Sequence, residues 1–380
     1  MVIAPESSGS ATLKPAMCRV RSTLSFLAIC GLTALDPASA LDGPTVVTAR
    51  QASPERTPLR GMVVSCPGMG RIWGSEAMRA SLAELTTLGV DSVAIHPYAG
   101  VRRDGSVRFH PAAQADYLKR AVELARQAGV RLFWKPHLAY WGSFGWRGEI
   151  EYGDDQDAWR RFFDGYRAFI VDQAAFAERS GIDLFAVGVE LEGTAGYADE
   201  WRSIVAAVRK VYSGRITYVA NWSSLGAVGF WDAVDLIGVH AYFPLSSSDS
   251  PTEDELCAGW QRPLADLEAM SRSHGKPVLV GEIGYNRSPI AASEPWDYGV
   301  TDTPETRRLR QRLIEVALDR LADEPWIEGI FWWKWMPGDR WRGNFSMRDE
   351  EAKTALRRFW GRPPGTATAV CPPVAISTAE

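Results

Sequence analysis

From residue 59 to residue 361 the chain alternates between two kinds of segment. Eight short runs are almost continuously apolar: Leu59–Ser65, Val90–His96, Val130–His137, Leu184–Glu190, Ile216–Asn221, Leu236–Tyr242, Pro277–Glu282 and Gly329–Trp335. Strands that alternate polar and apolar positions have one wet face, whereas uninterrupted apolar runs of this length suit parallel strands covered on both sides. Amphipathic stretches separate them, including Ser75–Leu88, Pro111–Ala128, Ala158–Ser180, Asp199–Tyr212, Ala258–His274 and Pro304–Ala322. Gly89, Gly129 and Gly181 stand where a helix must stop before the next strand. Eight such units in about 300 residues predict an α/β fold, a single-domain (β/α)8 TIM barrel over 59–361. A doubly wound dinucleotide fold needs GxGxxG after its first strand, and Cys66-Pro-Gly-Met-Gly-Arg71 lacks that spacing.

The ends of the chain read differently. Lys14, Arg19 and Arg21 precede the apolar run Leu24–Leu35, and Ala38-Ser39-Ala40 follows it. A positive flank, a short apolar core and an Ala-x-Ala exit make residues 1–40 a signal peptide, too short in its apolar part to span a bilayer. The expectation is export to the periplasm or medium, with 41–58 a polar leader and 362–380 an aperiodic tail. Cleavage after Ala40 removes three basic and two acidic residues from a formal charge of −4, leaving −5. That balance excludes nucleic acid or an anionic membrane as the main partner. The three remaining cysteines, Cys66, Cys257 and Cys371, form no disulfide framework, although Cys257 and Cys371 are free to pair in an oxidising compartment.

Barrels of this kind carry their chemistry where strands end, so the residues closing each run matter most. The second ends at His96-Pro97, the third at Lys135-Pro136-His137 and the fourth at Glu190. Asn221-Trp222 closes the fifth, His240-Ala241-Tyr242 the sixth, Glu282 the seventh, and Trp332-Trp333-Lys334-Trp335 the eighth. A carboxylate at the end of an apolar strand is costly to desolvate without a partner or a task. Glu190 and Glu282, on strands four and seven, face one another across the same mouth. Two carboxyls about 5–5.5 Å apart are what a retaining glycosidase uses, one attacking the anomeric carbon and the other moving the proton. Sixteen tryptophans exceed what a core needs and supply flat surfaces for stacking on sugars.

These blocks resemble glycoside hydrolase family 113 within clan A of the retaining glycosidases. The likeness rests on Lys-Pro-His after strand three, Gly-Val-Glu190 after strand four, Asn221-Trp222, Phe230–Leu245, Lys276–Tyr285 and the tryptophan-rich last strand. The resemblance implies Glu190 as acid/base, Glu282 as nucleophile and β-1,4-mannan as the leading substrate, with no cofactor and no metal. One departure is plain: the clan places Asn directly before the acid/base to hold the sugar 2-hydroxyl, and here Val189 stands there, so either another residue such as Asn221 takes that contact or the substrate preference differs from that of the wider clan. Glu192, two residues on, shares the strand face and is a rival acid/base. Tyr242 is expected to donate to the nucleophile and keep it ionised. His96, Lys135 and His137 are expected to donate to sugar hydroxyls, Trp335 to floor the cleaved sugar, and Trp222 to contact the substrate. Trp73, Trp141, Trp146 and Trp341, in strand-to-helix loops, are expected to stack on neighbouring sugars.

Two other readings compete. One is a barrel that binds carbohydrate without cleaving it, within cell-surface polysaccharide assembly. The other, a metal-dependent hydrolase built on His96, His137 and His240, would want an HxH pair, and the first strand ends in Ser65-Cys66-Pro67 without one. HExxH, the P-loop and GxSxG are absent from the sequence. The export reading has a direct check: Edman sequencing of protein recovered outside the cytoplasm should begin at or near Leu41, and full-length cytoplasmic protein would refute it.

Overall fold

The computed structural model describes residues 57–338, 343–361 and 369–372. The chain divides into two units, Met1–Ala52 and Ser53–Glu380, and every described residue belongs to the second. The expected signal peptide, nearly all of the leader and most of the tail lie outside the described residues, as does Trp341.

Eight parallel strands close into a barrel. In chain order they are Leu59–Val64, Ser92–Ile95, Arg131–Trp134, Leu184–Val189, Arg215–Asn221, Leu236–His240, Val278–Ile283 and Ile327–Trp335, each inside or overlapping one of the eight apolar runs. The uniform apolarity of those runs has two destinations. One set of side chains, including Val63, Ala94, Phe133, Ala186, Val219, Leu279 and Phe331, fills the barrel interior. The other, including Met62, Val93, Leu132, Phe185 and Ile330, packs outward under the helices. Gly61 pairs with Phe331, and a Cβ there would lie 2.4 Å from the Phe331 ring, so the missing side chain makes room for the ring that plugs the barrel. At Gly89, φ is +81° and a Cβ would meet the Trp360 carbonyl at 2.2 Å, which reserves that helix end for glycine.

Three features depart from the simple alternation. Strands two and three stop earlier than the apolar pattern, at Ile95 and Trp134, because Pro97 and Pro136 cannot donate to a ladder. The chain then bends and pairs again as a side sheet of Tyr98–Val101, Val107–Arg108 and His137–Ala139 above the barrel. Between strands five and six two 3-10 turns, Leu225–Ala227 and Trp231–Ala233, replace a helix, and Phe230 stacks on Trp201 (5.2 Å, 11°) to cover the strands instead. A further helix, Glu253–Gly259, starts at a capping box made by Thr252 and Glu255. Its Cys257 is bonded to Cys371 across 114 residues of chain, and the backbone N–H groups of Val370 and Cys371 donate to Asp319. The chain is therefore tied back onto the barrel near residue 371.

Closing so long a loop removes chain entropy from the unfolded state. Cys257→Ser is expected to lower the unfolding free energy by about 2–5 kcal/mol, read from guanidinium melts without reductant. Equal midpoints for variant and parent would show that the link does not stabilise the fold.

Candidate active site

The mouth at the C-terminal ends of the strands opens into a cavity of about 590 Å³, lined by Glu190 and Glu282 among others. Each glutamate follows a local irregularity. Strand four skips a residue against strand five between Ala186 and Gly188, and strand seven skips Gly281 against strand six. Such bulges re-aim the residues beyond them. Glu190 itself adopts φ +49°, an uncommon conformation for a residue with a side chain, held by its N–H donating to the Val219 carbonyl at 2.8 Å.

Lys135 sits at the centre. It has no exposed surface, and its Nζ donates to Glu282 Oε1 (2.5 Å), to the Gly281 carbonyl (3.1 Å) and toward His240 Nε2 (3.4 Å). The other nitrogen of His240 meets Glu190 Oε1 at 2.7 Å. One imidazole thus spans the gap between the two carboxylates, with its Nε2 3.5 Å from Glu282 Oε1. Tyr242 donates to Glu282 Oε2 at 3.2 Å, and Arg147 approaches Glu190 Oε2 at 3.6 Å. Burial pushes the Glu190 carboxyl up, but His240, which meets it at 2.7 Å, with Arg147 and Lys135 behind, outweighs burial and holds the group below the usual carboxylate range. Burial lowers Lys135, against the opposing charge and hydrogen bond of Glu282. Burial, and then Glu282, push the Tyr242 phenol well up, so it stays a donor.

The remaining residues expected from the sequence divide between mouth and core. His137, Asn221, Trp222 and Tyr242 line the cavity, as does Trp146. Lys135 spends its three protons inside the protein, so it supports the nucleophile rather than a sugar hydroxyl. His96 is fully buried behind His137, stacked on it at 4.8 Å, and burial with the nearby Lys135 and Arg147 keeps it neutral. Trp73 is also fully buried, its indole N–H donating to the Val64 carbonyl at 2.9 Å; it braces the end of strand one and offers no face to a ligand. Trp141 is 61% exposed against Tyr98 and Tyr140, outside the cavity lining. Glu192 opens a 3-10 turn and does not line the cavity.

Trp335 requires the clearest correction. It has no exposed surface and packs in the outer layer, while Trp333 lines the cavity. Residues i and i+2 of a regular strand share a face. Here strand eight slips against strand one, Val63 pairing with Trp333 and Val64 with Trp335, so Lys334 is taken up in a bulge and the two indoles part. The sequence reading also passed over Tyr140, Arg147, Trp296, Tyr298 and Phe345, which complete the walls. Trp296 stacks on Trp222 at 5.6 Å and 24°. The only available signal was aromatic density in the loops after strands three and seven. Among the described residues no group of three or more His, Cys, Asp or Glu side chains is gathered to hold a metal ion, and no helix is long and apolar enough to cross a membrane.

The two tryptophans give separable outcomes. Trp335→Ala is expected to cost about 3–5 kcal/mol of stability through the cavity it leaves, measured by denaturant unfolding. Trp333→Ala should leave stability closer to the parent and weaken oligosaccharide binding at least tenfold, measured by calorimetry. The reverse pattern would return the platform to Trp335.

The model of Glycoside Hydrolase Family 113 matches residues 66–350. Among solved structures, the GH113 β-mannanase AaManA from Alicyclobacillus acidocaldarius, determined in complex with ManMIm, superposes with a TM-score of 0.69 at 26% identity, over 80% of this chain and 97% of that one. A GH113 β-1,4-mannanase gives a TM-score of 0.71 at 21% identity, over 80% and 99%. The endoglucanase Cel5A of Pseudomonas stutzeri shares the fold at 15% identity and a TM-score of 0.53, over 83% and 97%. A search of the curated proteins finds no match. With a match spanning the barrel from the end of its first strand to the last helix, the chain belongs to glycoside hydrolase family 113.

Proposed function

We propose that this glycoside hydrolase is an exported, retaining β-glycosidase that cleaves β-1,4-mannan by double displacement. The observation that carries the reading is the placement of Glu190 and Glu282 on opposite walls of one cavity with a single imidazole between them. Glu282, next to an ammonium and a phenol donor, is equipped to stay ionised and attack. An oxygen of Glu282 bonds to the anomeric carbon as the glycosidic bond breaks, and the Glu190 proton goes to the leaving oxygen. Water then gives its proton to Glu190 and its oxygen to the anomeric carbon, releasing Glu282 as carboxylate. Asn221 lines the same cavity and takes the 2-hydroxyl contact that Val189, 2% exposed within the barrel, does not make. Mannan is favoured by the names of the GH113 relatives, and export by the N-terminal pattern together with a disulfide of the kind that persists in oxidising compartments.

Single replacements distinguish catalysis from binding. Glu282→Ala should reduce turnover of β-1,4-mannooligosaccharides by about ten-thousandfold while leaving binding largely intact, because a nucleophile acts chiefly in the transition state. Glu190→Ala should lose about a hundredfold to ten-thousandfold on the same substrates. With an activated aryl β-mannoside its first step should survive, and azide should restore turnover with retained anomeric configuration. Azide acting on Glu282→Ala should instead give the inverted product, both read by proton NMR. Glu192→Ala should match the parent; if it shows the azide pattern in place of Glu190→Ala, the acid/base is Glu192. If all three variants match the parent on β-glycosides, the protein binds carbohydrate without cleaving it.

A further inference from the structure

The geometry around Lys135 fixes a direction along the line that joins the two glutamates. An ammonium group has three protons and accepts nothing. Its three neighbours are Glu282 Oε1, the Gly281 carbonyl and His240 Nε2. Nε2 lies 3.4 Å from an ammonium that cannot accept and 3.5 Å from Glu282 Oε1, an oxygen that already accepts from the same ammonium at 2.5 Å, so the closer neighbour calls for the lone pair on Nε2 and leaves the ring proton on Nδ1, pointing at Glu190 Oε1 2.7 Å away. His240 has no exposed surface, so no solvent competes for either nitrogen.

We propose that Lys135 and His240 are positioning residues that act as one relay: a single buried cation holds Glu282 as a carboxylate and, through His240, fixes the tautomer that donates to Glu190. The inference rests on reading the two glutamates as the catalytic pair and adds how their ionisations are tied together. The other ionisable groups facing the relay do not replace it. Arg147 reaches Glu190 from the loop after strand three, at 3.6 Å, on the oxygen that His240 does not touch. Burial keeps His96 and His137 neutral and holds the phenols of Tyr98, Tyr218, Tyr242 and Tyr298 protonated. The charge of Lys334 on strand eight also acts on Glu282, and burial lowers that lysine.

The arrangement serves both halves of the reaction. Before attack, the negative charge next to Lys135 is on Glu282. Once that oxygen is tied up in the glycosyl ester, the charge lies on Glu190, one imidazole away from the same ammonium. The cation does not move, and it neutralises whichever glutamate is ionised.

Two measurements test the relay. In the free protein, imidazole nitrogen-15 NMR has five histidines to resolve; His240, assigned by its loss in His240→Phe, should be the Nδ1–H tautomer. In Lys135→Met the proton should redistribute toward Nε2, which then faces only Glu282. A His240 already protonated on Nε2 in the parent would overturn the proposal. The second measurement is the pH profile of kcat on a β-1,4-mannooligosaccharide, whose leaving oxygen needs the Glu190 proton, with circular dichroism to establish folding. Lys135→Met should raise the acid limb by about one unit or more, since Glu282 loses its nearest cation. His240→Phe should leave the acid limb in place and raise the basic limb, since Glu190 loses the donor that holds its proton off. Lys135→Arg, which keeps the charge, should hold the acid limb near the parent. Variants that lose kcat with both limbs unmoved would reduce the pair to packing. If the parent cleaves no β-glycoside, the catalytic reading fails, and the nitrogen spectrum alone decides the relay.

Discussion

An ammonium group taken wholly out of water costs several kcal/mol unless acceptors and a counter-charge surround it, and Lys135 has no exposed surface. Much of the barrel mouth answers that requirement. Pro136 ends strand three one residue beyond Lys135, and the Lys135 N–H donates to the Ile95 carbonyl at 3.0 Å, which fixes the root of the side chain. The acceptors come from two adjacent strands, six and seven. The bulge that skips Gly281 leaves its carbonyl outside the ladder and available to Nζ. Glycine is needed there, because a Cβ would meet Val219 at 2.8 Å inside the barrel. Moving any of these strands by one residue would strand either the cation or Glu282.

The same cluster gives two like carboxylates different surroundings. Glu282 is held by an ammonium and a phenol, Glu190 by an imidazole and a guanidinium. Both Glu190 partners favour its ionised form, so the protein empty of substrate holds the proposed acid/base without its proton. Burial acts the other way and pushes the Glu190 carboxyl up, so closing the cavity over a ligand favours its proton. Separate environments for two carboxyls are what lets one attack while the other shuttles a proton.

How far the sequence could be read follows from what each signal depends on. The eight strands were legible because burial on both faces leaves an uninterrupted apolar run, and Glu190 and Glu282 stood out as charges ending such runs. The prolines at 97 and 136 were visible, but the side sheet they create depends on pairing between two loops that no local pattern reports. Trp335 was chosen over Trp333 because a regular pleat makes neither preferable, and the bulge at Lys334 that separates them is a property of the register with strand one. Lys135 was read as a sugar donor since lysines are seldom buried; only the convergence of strands six and seven reveals that its protons are already committed. Arg147, Trp296 and Tyr298 lie in irregular loops, where sequence carries composition without direction.

That division also separates chemistry from selectivity. The two glutamates proposed to make and break bonds, and His240 and Tyr242 that hold them, sit at or just past strand ends, where the ladder fixes the backbone. Much of the wall comes from two loops, the one after strand three with Tyr140, Trp146 and Arg147, and the one after strand seven with Trp296 and Tyr298, with Trp222 after strand five and Trp333 and Phe345 from strand eight and beyond. Loops tolerate change that strands do not. At 26% identity to AaManA the barrel is shared, and a barrel does not fix a substrate. Trp296 is 42% exposed where it stacks on Trp222, and Tyr298 is 69% exposed against Phe345. Rings so placed gain most when a sugar covers them, because their remaining surface then leaves water. Trp222 follows strand five, the neighbour of the strand carrying Glu190, whereas Trp333 lies on strand eight, the neighbour of the strand carrying Glu282. The loops after strands three and seven can therefore change while the strand ends that carry both glutamates keep their places.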